Sequence, residues 1–558
     1  MTATITAANL WPDFLDPAPA LRQRGTAAGP RQFREVPIPL HREDRFSVWW
    51  KANAAPMIRL GWWPNTFNGR TTLQQWLTME GNLSPIALER VTRMDAPRQA
   101  ALALTEAPLE LAPLPNGLEA KLRPYQVDPA RQLFRAVMEG NKEWNYPGAV
   151  DLSDMGTGKT YMALAAALAT GQAIIVLCPS VGKAGWERAF QHFNADPEYI
   201  GTYEGLRGGN RPHIAEEQQD GTFLWKKPEE ILLILDEAQA LRHDDTLNVR
   251  LCSGAVRQRV PIIVASATVA ISPLEMRFAG RIVGLHQGGD DWIRFLMAHG
   301  CSRRSSSEGW KWNGDLKHLA SIHSRLFPRR GCRVRKEDLG SECPETEINV
   351  LPITCAASQA IEQQWKDTQD LMDRLAQQGQ AGRAKLLERK ARMKVWQMAE
   401  VALVPHIAAL AKADVAAGRS VSIFVSFTET RQALGRMLNT NAGFYGGQNL
   451  KQRQHWEAEF QANRQHILIS NIGAGGASVS LHDVHGERPR SAYIFPTDHV
   501  VQMEQATGRV DRVGGKSKSM QWIPCVAGTL SEKMVHRTRK KMLAISQLNN
   551  GTTGKARF

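Results

Sequence analysis

The feature that most constrains this chain is a glycine-rich loop at residues 153–160, which is followed by a segment of strong helix formers. Closely spaced glycines let backbone N–H groups turn inward around phosphate oxygens, a lysine neutralises charge, and a threonine hydroxyl can ligate Mg²⁺. A helix N-terminus behind the loop directs its positive dipole end at the anion. Ser153 stands where such loops usually open with glycine. The loop predicts a nucleotide-phosphate site formed by Met155, Gly156, Thr157, Gly158, Lys159 and Thr160.

A pair of carboxylates follows a second apolar segment. Residues 231–235 form an apolar run of the length of a buried strand, and Asp236 and Glu237 come directly after it. A parallel sheet presents its functional groups at the carboxyl ends of its strands. We therefore expect Asp236, together with Thr160, to hold Mg²⁺, and Glu237 to orient and deprotonate an attacking water.

Two arginines near the C-terminus, Arg509 and Arg512, complete the set. Their spacing of three predicts that both lie on one face of a helix, where they reach a γ-phosphate if the C-terminal half of the chain closes over the N-terminal half. Phosphoryl transfer mainly requires positioning and charge neutralisation. The order of the three elements therefore predicts ATP hydrolysis, with Lys159, Asp236, Glu237, Arg509 and Arg512 as catalytic residues. It disfavours the alternative that the carboxylates cap a helix and the arginines pair with surface acids.

From about Leu122 to Cys525, the order of the elements resembles superfamily 2 helicases, and within them the Swi/Snf-type branch of duplex-DNA translocases. The resemblance is carried by residues 122–126, 176–180 with Trp186, 202–206, 266–268, 423–427, Gly447, Arg453, Phe460, 469–471, 474–476 and 505–512. It implies that Gln126 reads adenine with Arg123 nearby, and that Gln505 also contacts the nucleotide. Residues 333–339 resemble the basic passage between lobes in that branch. The sequence departs from the branch at Gln239, Ser478 and Gly515, and none of these positions removes a catalytic group.

The resemblance implies an α/β fold of two tandem RecA-like lobes, which are parallel sheets flanked by helices, with helical insertions and a separate N-terminal domain. A turn-rich break at residues 113–117 marks the end of that domain. The expected divisions are a Trp-rich accessory domain (1–117), lobe 1 (118–350) with a basic insertion (285–350), lobe 2 (351–530) with a helical insertion (356–400), and a basic C-terminal tail (531–558).

Charge and aromatic content suggest the partner. The formal net charge is +14, and basic residues are concentrated in segments 301–340, 383–394 and 531–558, so the chain should attract polyanions. Such runs are often only solvated faces, but phosphate contacts explain them collectively. We expect duplex or forked DNA, bound without sequence preference. Five tryptophans, at positions 49, 50, 62, 63 and 76, more often fill the core of a small domain than stack on unpaired bases, and both readings stay open.

The sequence thus predicts an ATP-dependent motor that moves along duplex or forked DNA and remodels DNA or protein–DNA complexes. One alternative is a strand-separating DNA or RNA helicase of the same superfamily, and another is a scaffold that uses ATP as a latch without turnover. Seven cysteines without a Cys-x-x-Cys pair favour a reducing compartment. The N-terminus has no basic region followed by a long apolar core, and the apolar stretch 161–179 is interrupted at 170–172. We expect a cytoplasmic protein without an export signal and without a membrane partner.

Overall fold

The computed structural model describes residues 21–26, 29–38, 62–66, 110–142, 148–209, 211–242, 246–303, 309–344, 346–475 and 479–552. The chain divides into two compact units, one of Met1–Glu110 with Ser272–Ser321 and the other of Leu111–Ile271 with Ile322–Phe558. Trp49, Trp50 and Trp76, Gly476 of the motif at 474–476, and Ser478 lie outside the described residues.

The N-terminal region contains a three-stranded sheet in the order β1-β2-β3. Its strands are β1 (Leu21–Thr26), β2 (Gly29–Ile38) and β3 (Trp62–Thr66). Strand β2 pairs antiparallel with β1 and parallel with β3, which contains Trp62 and Trp63. Core packing and base stacking both remain predictions for these tryptophans.

Lobe 1 is built on a six-stranded parallel sheet in the order β13-β4-β10-β9-β5-β6. Its strands are β4 (Gly148–Asp151), β5 (Ala173–Leu177), β6 (Tyr199–Gly201), β9 (Ile231–Asp236), β10 (Ile262–Ala265) and β13 (Gly331–Cys332), and a hairpin of β7 (Ala215–Glu217) and β8 (Phe223–Trp225) stands apart. Its helices are α1 (Pro124–Lys142), α2 (Lys159–Leu168), α3 (Lys183–Phe193), α4 (Tyr203–Arg207) and α5 (Leu247–Arg257). The apolar residues of β9 are all buried, as a sheet covered on both faces requires.

Residues 272–321 contain a small aromatic cluster of their own. The elements here are α6 (Arg277–Ile282), α7 (Gly289–Ala298), the short strands β11 (Cys301–Ser302) and β12 (Lys311–Trp312), and the start of α8 (Lys317–Leu326). The rings of Trp292 and Phe295 stack with centroids 5.4 Å apart, and His286 packs 4.6 Å from Trp292. Burial among these rings lowers the pKa of His286 to about 4.

Lobe 2 is built on a five-stranded parallel sheet in the order β14-β18-β17-β15-β16. Its strands are β14 (Thr346–Ile353), β15 (Ser420–Val425), β16 (Ile467–Asn471), β17 (Arg490–Ile494) and β18 (Ser519–Val526). Its helices are α9 (Ser358–Gln377), α10 (Ala381–Ala402), α11 (Val404–Ala416), α12 (Thr428–Leu438), α13 (Leu450–Gln461), α14 (Ile472–Gly475), α15 (Val500–Val510) and α16 (Leu530–Asn550). The α/β class with parallel sheets flanked by helices is confirmed.

Three expected boundaries differ from the structure. Strand β14 pairs along its whole length with β18, so the lobe 2 sheet already begins at Thr346, inside the segment assigned to lobe 1. The basic insertion at 285–350 is not one element, because β13 pairs with β4 of lobe 1 while β14 belongs to lobe 2. Residues 531–558 were expected to be a tail, but α16 packs as far as Asn550 and buries Met534, Val535 and Leu548.

The helical insertion at 356–400 corresponds to α9 and α10. These helices pack against lobe 2, since Ile361, Trp365 and Val395 share a buried cluster with Val421 and Ile423 of β15. Within the part of the chain that is described, every helix is too short or too polar to cross a bilayer.

Candidate active site

The phosphate loop connects β4 to α2 in the way that the sequence predicts. Gly156 and Gly158 adopt φ values of 82° and 87°, a left-handed conformation that glycine accepts without the steric penalty of a Cβ. Lys159 begins α2, and its ammonium donates hydrogen bonds to the carbonyl oxygens of Ser153 at 2.9 Å and Asp154 at 3.1 Å. The lysine charge is therefore held inside the curve of the loop, where burial lowers its pKa.

Gln126 contacts the same loop from α1. Its Nε2 donates to the carbonyl oxygen of Thr157 at 3.1 Å, and its Oε1 accepts from the N–H of Arg123 at 3.0 Å. A Cβ on Gly158 would lie only 2.2 Å from Gln126 Nε2, so a larger residue there would displace the glutamine amide from the loop. The expected adenine-reading residue is thus brought directly to the phosphate loop.

A cavity of about 340 Å³ opens beside this contact. Its volume is within the range of small-molecule sites. The rings of Tyr161 and His192 meet edge to face on its wall, with centroids 5.2 Å apart. The lining residues are Lys121, Arg123, Tyr125, Gln126, Gly156, Gly158, Tyr161, His192 and Val513.

Asp236 ends strand β9, as expected. Its Oδ2 accepts a hydrogen bond from the indole N–H of Trp186 at 2.9 Å, and its carbonyl oxygen accepts from the Tyr203 hydroxyl at 3.2 Å. Burial, followed by the negative charge of Glu237, raises the pKa of Asp236 to about 7. A buried carboxylate of this kind gains from a nearby cation, and carboxylate and hydroxyl oxygens such as those of Asp236 and Thr160 are ligands that Mg²⁺ prefers.

Glu237 lies in a strained backbone conformation. Its φ of 54° is left-handed, which costs a residue with a Cβ about 1–2 kcal/mol. Its N–H donates to the carbonyl oxygen of Ala265 on β10 at 3.2 Å, and its Oε1 accepts from Gln505 Nε2 of lobe 2 at 3.4 Å. The structure therefore places Gln505 beside the carboxylate of Glu237. Strain of this kind at a charged residue is typical of functional sites.

The two arginines of lobe 2 come together, but not by the expected helical spacing. Helix α15 ends at Val510 and Asp511 is extended, so Arg512 lies beyond the helix that carries Arg509. Contacts fix the pair instead. Both guanidinium groups donate to the carbonyl oxygen of Val479, at 3.4 Å from Arg509 and 2.9 Å from Arg512, and Arg512 also donates to the hydroxyl of Ser480 at 2.8 Å.

Lobe 2 packs directly on the phosphate loop. A Cβ built on Gly156 would lie 2.9 Å from Arg512 Cγ, and one built on Gly508 would lie 3.1 Å from the Met155 side chain. Burial lowers the pKa of Arg509 to about 9, with a further contribution from the positive charge of Arg512. Two cations held this close out of water are suited to an anionic ligand.

Sequence reasoning missed several residues of the site. Glu457 on α13 accepts from the Ser480 N–H at 2.7 Å, and the charges of Arg512, Arg188 and Arg509 oppose the rise that burial causes in its pKa. Asp154, Arg333, Lys336 and Asp511 form a further charged network behind the loop. Asp154 and Asp511 lie inside the segments 153–160 and 505–512 that the sequence singled out, and Arg333 and Lys336 lie in the basic segment 333–339. None of these patterns reveals which charged groups pair with one another.

The chain has relatives among known proteins, although no protein-family model matches it. A protein of Acanthamoeba polyphaga mimivirus that carries the name of an ATP-dependent RNA helicase is 28% identical over 466 residues, which cover 78% of this chain and 85% of that protein. The Sulfolobus solfataricus SWI2/SNF2 ATPase core in complex with dsDNA has a TM-score of 0.30 at 16% identity, with 80% of this chain and 96% of that chain covered. S. cerevisiae Dbp5 bound to RNA and ADP BeF3 has a TM-score of 0.42 at 14% identity, with 76% and 93% covered.

The ordered motifs, the two parallel sheets and the similarity to the viral protein show an ATP-hydrolysing enzyme that resembles the helicases of superfamily 2. The predicted resemblance to superfamily 2 helicases and the prediction of an ATPase are confirmed.

Proposed function

We propose that this enzyme is a DNA motor of the Swi/Snf-type branch, which couples ATP hydrolysis to translocation along duplex or forked DNA and to the remodelling of DNA or protein–DNA complexes. One observation carries the proposal. Arg512 of lobe 2 lies against Gly156 of the lobe 1 phosphate loop, so the apposed lobes bring the arginines of one to the phosphate loop of the other. A cycle of closing and reopening then alternates the grip of the two lobes on a nucleic-acid backbone.

Each residue has a distinct role in this proposal. Lys159 and the loop N–H groups bind the β- and γ-phosphates, and Glu237 takes a proton from the attacking water. Arg509 and Arg512 stabilise the charge that spreads over the γ-phosphoryl oxygens in the transition state.

Other residues bind Mg²⁺ and the adenine ring. Thr160 and Asp236 would hold Mg²⁺, which neutralises phosphate charge when bound. On the nucleoside side, Gln126 reads adenine within the cavity that Arg123 also lines. Because Gln126 also bonds to Thr157 of the loop, recognition of the base is linked to the shape of the phosphate cradle.

Basic helices support the choice of a nucleic-acid substrate. Helix α10 exposes Arg383, Lys385, Arg389, Lys390 and Lys394, and α16 exposes Lys533, Arg537, Arg539 and Lys540. Side chains of this kind bind phosphates without reading sequence. We favour duplex-containing DNA, on the strength of the Swi/Snf-like motifs.

A strand-separating RNA helicase is the second candidate, and the name of the mimivirus relative favours it. An ATP latch without turnover is less well supported. A latch needs neither the strained Glu237 nor two buried arginines, whereas hydrolysis uses all three.

Replacement of Glu237 by Gln tests the chemistry. The variant should bind ATP and DNA nearly as well as the parent and lose turnover by on the order of 10² or more, since the base is lost while the cradle remains. Glu229→Gln, at an exposed position of the same lobe, is the matched control and should keep normal turnover. Normal ATPase activity in Glu237→Gln would refute its assignment as the general base.

A further inference from the structure

The segment that passes from lobe 1 to lobe 2 lies alongside the phosphate loop. After β13, residues 332–336 continue parallel to the loop through backbone hydrogen bonds. The N–H of Leu152 donates to the carbonyl oxygen of Cys332 at 3.1 Å, and the N–H of Asp154 donates to that of Val334 at 2.9 Å. The N–H of Val334 in turn donates to Ser153 Oγ at 2.9 Å. This segment, residues 332–336, is called the passage below, and it packs along one side of the phosphate loop.

Asp154 is held by both ends of this passage. Its Oδ1 accepts from Arg333 Nη2 at 2.6 Å, and its Oδ2 accepts from the backbone N–H of Lys336 at 2.9 Å. Asp154 also supplies one of the two carbonyl oxygens that accept from Lys159. Asp154 therefore links the phosphate loop to the backbone of Lys336.

The side chain of Lys336 reaches the arginine segment of lobe 2. Its ammonium contacts Asp511 Oδ2 at 2.9 Å and also donates to the Asp511 carbonyl oxygen. The two side chains are only 5% and 8% exposed. Asp511 lies between Arg509 and Arg512 in the chain, so Lys336 contacts the phosphate loop through its backbone and the arginine segment through its side chain.

The energetics favour a positional role for this pair. A buried ion pair seldom stabilises a fold more than well-packed apolar side chains of similar size would, because both charges lose their hydration. The best-attested use of such a pair is to select one arrangement among several. Here the pair would fix the position of the two arginines relative to the phosphate loop.

We propose that Lys336 is a positioning residue, which acts through Asp511 to set Arg509 and Arg512 at the γ-phosphate and through Asp154 to make that setting depend on the state of the phosphate loop. The inference rests on the proposed function, since it assigns the passage between lobes to the same ATP site. It predicts that the pair affects the rate of hydrolysis much more than nucleotide affinity, because the arginines act in the transition state.

The test is the double variant Lys336→Met with Asp511→Asn, which removes both charges and leaves neither one buried alone. Its nucleotide dissociation constant should stay within about threefold of the parent, while kcat falls by roughly 10-fold to 100-fold, since displacement of a catalytic group by about 1 Å can cost that much. The matched control removes the exposed pair Lys518 and Glu347, whose side chains are 47% and 48% exposed, by Lys518→Met with Glu347→Gln. That control should change neither quantity.

A cycle with Arg512→Lys separates positioning from general destabilisation. If Lys336 and Asp511 act through the arginine segment, the double substitution should lower kcat much less in an Arg512→Lys background than in the parent. The effects of substitutions at residues in contact with one another do not simply add. Fully additive losses, or a kcat for the double variant within about twofold of the parent, would overturn the inference. If the double variant does not fold, Lys336→Arg replaces it and should lower kcat at unchanged affinity, because a planar guanidinium cannot reproduce the ammonium geometry. An unchanged kcat in that variant would equally overturn it.

Glu237→Gln is measured in parallel. Turnover by Glu237→Gln would overturn the proposed function itself. Loss of turnover in Glu237→Gln, together with normal turnover in the double variant, would overturn only the role of Lys336.

Discussion

Glu400 of α10 gives a prediction that can be worked out from the structure. Its side chain is 2% exposed and its Oε1 accepts from the N–H groups of Ser426 at 2.9 Å and Phe427 at 3.1 Å, immediately before α12. Burial raises the pKa of this carboxyl from 4.5 to about 7, despite the hydrogen bonds to Phe427 and Ser426 that favour the charged form. We expect Glu400→Gln to change how the stability of lobe 2 depends on pH.

The direction of the change in stability with pH follows from the protonation of Glu400 in the folded and the unfolded chain. Below about pH 4.5 the carboxyl is protonated whether the chain is folded or unfolded, so it carries no penalty. As the pH rises from 4.5 to about 7, the unfolded chain releases the proton while the folded chain keeps it, so stability falls. Above that window the penalty is complete. The difference of 7 minus 4.5 in pKa corresponds to roughly 3 kcal/mol, of which roughly 2 to 3 kcal/mol develops between pH 5 and pH 8.

A glutamine keeps an oxygen that can accept from Ser426 and Phe427, but it does not titrate. Relative to the parent, Glu400→Gln should therefore become more stable by roughly 2 to 3 kcal/mol on going from pH 5 to pH 8. The measurement is denaturant unfolding of both proteins across that range, with Glu429→Gln, at an exposed position on α12, as the control. Stability curves of parent and Glu400→Gln that run parallel across the range would refute the reasoning.

Three further predictions address the site and the nucleic-acid surface. Lys159→Ala should weaken both nucleotide affinity and turnover, whereas Arg512→Ala should lower turnover by on the order of 10² or more and change affinity less. Nucleotide dissociation constants and turnover rates are measured for both variants. Equal losses of affinity and rate in Arg512→Ala would make Arg512 an ordinary binding residue. Gly156→Ala should lower the free energy of unfolding, measured by thermal unfolding, by about 1–2 kcal/mol because of the left-handed φ at this position, and it should lower turnover by crowding Arg512. A Gly156→Ala variant with unchanged turnover would contradict that contact. Charge reversal of Arg389 and Lys390 on α10 should raise the DNA concentration for half-maximal ATPase stimulation by roughly 10-fold or more at unchanged maximal rate, and an unchanged concentration would exclude α10 from the interface.

The sequence predicted best those features that depend on local pattern. The apolar run before Asp236 is a buried strand because five successive apolar residues suit a sheet covered on both faces. The phosphate loop was predictable because Gly156 and Gly158 both need φ values that other residues avoid. These are short-range constraints, and tertiary contacts do not override them.

Features that depend on distant partners were not predictable. The arginine spacing indicated one helical face, but α15 ends at Val510, and Arg512 is fixed by Val479 and Ser480 from another part of lobe 2. The basic run 531–558 gave no sign that one face of α16 would be buried. The bond from Lys336 to Asp154 joins residues 182 apart in the chain, and nothing in either local sequence specifies the other.

The central claim is that ATP hydrolysis is coupled to duplex DNA. It is tested most directly by steady-state ATPase measured in parallel with duplex DNA, forked DNA, single-stranded DNA and RNA, each at 50 and 200 mM salt. We predict that nucleic acids containing duplex DNA stimulate most, without sequence preference, and that affinity falls by roughly 10³-fold or more between the two salt concentrations if six or more phosphates are engaged. Stimulation by RNA alone, or by single strands with no response to duplex DNA, would contradict the claim and favour the strand-separating helicase.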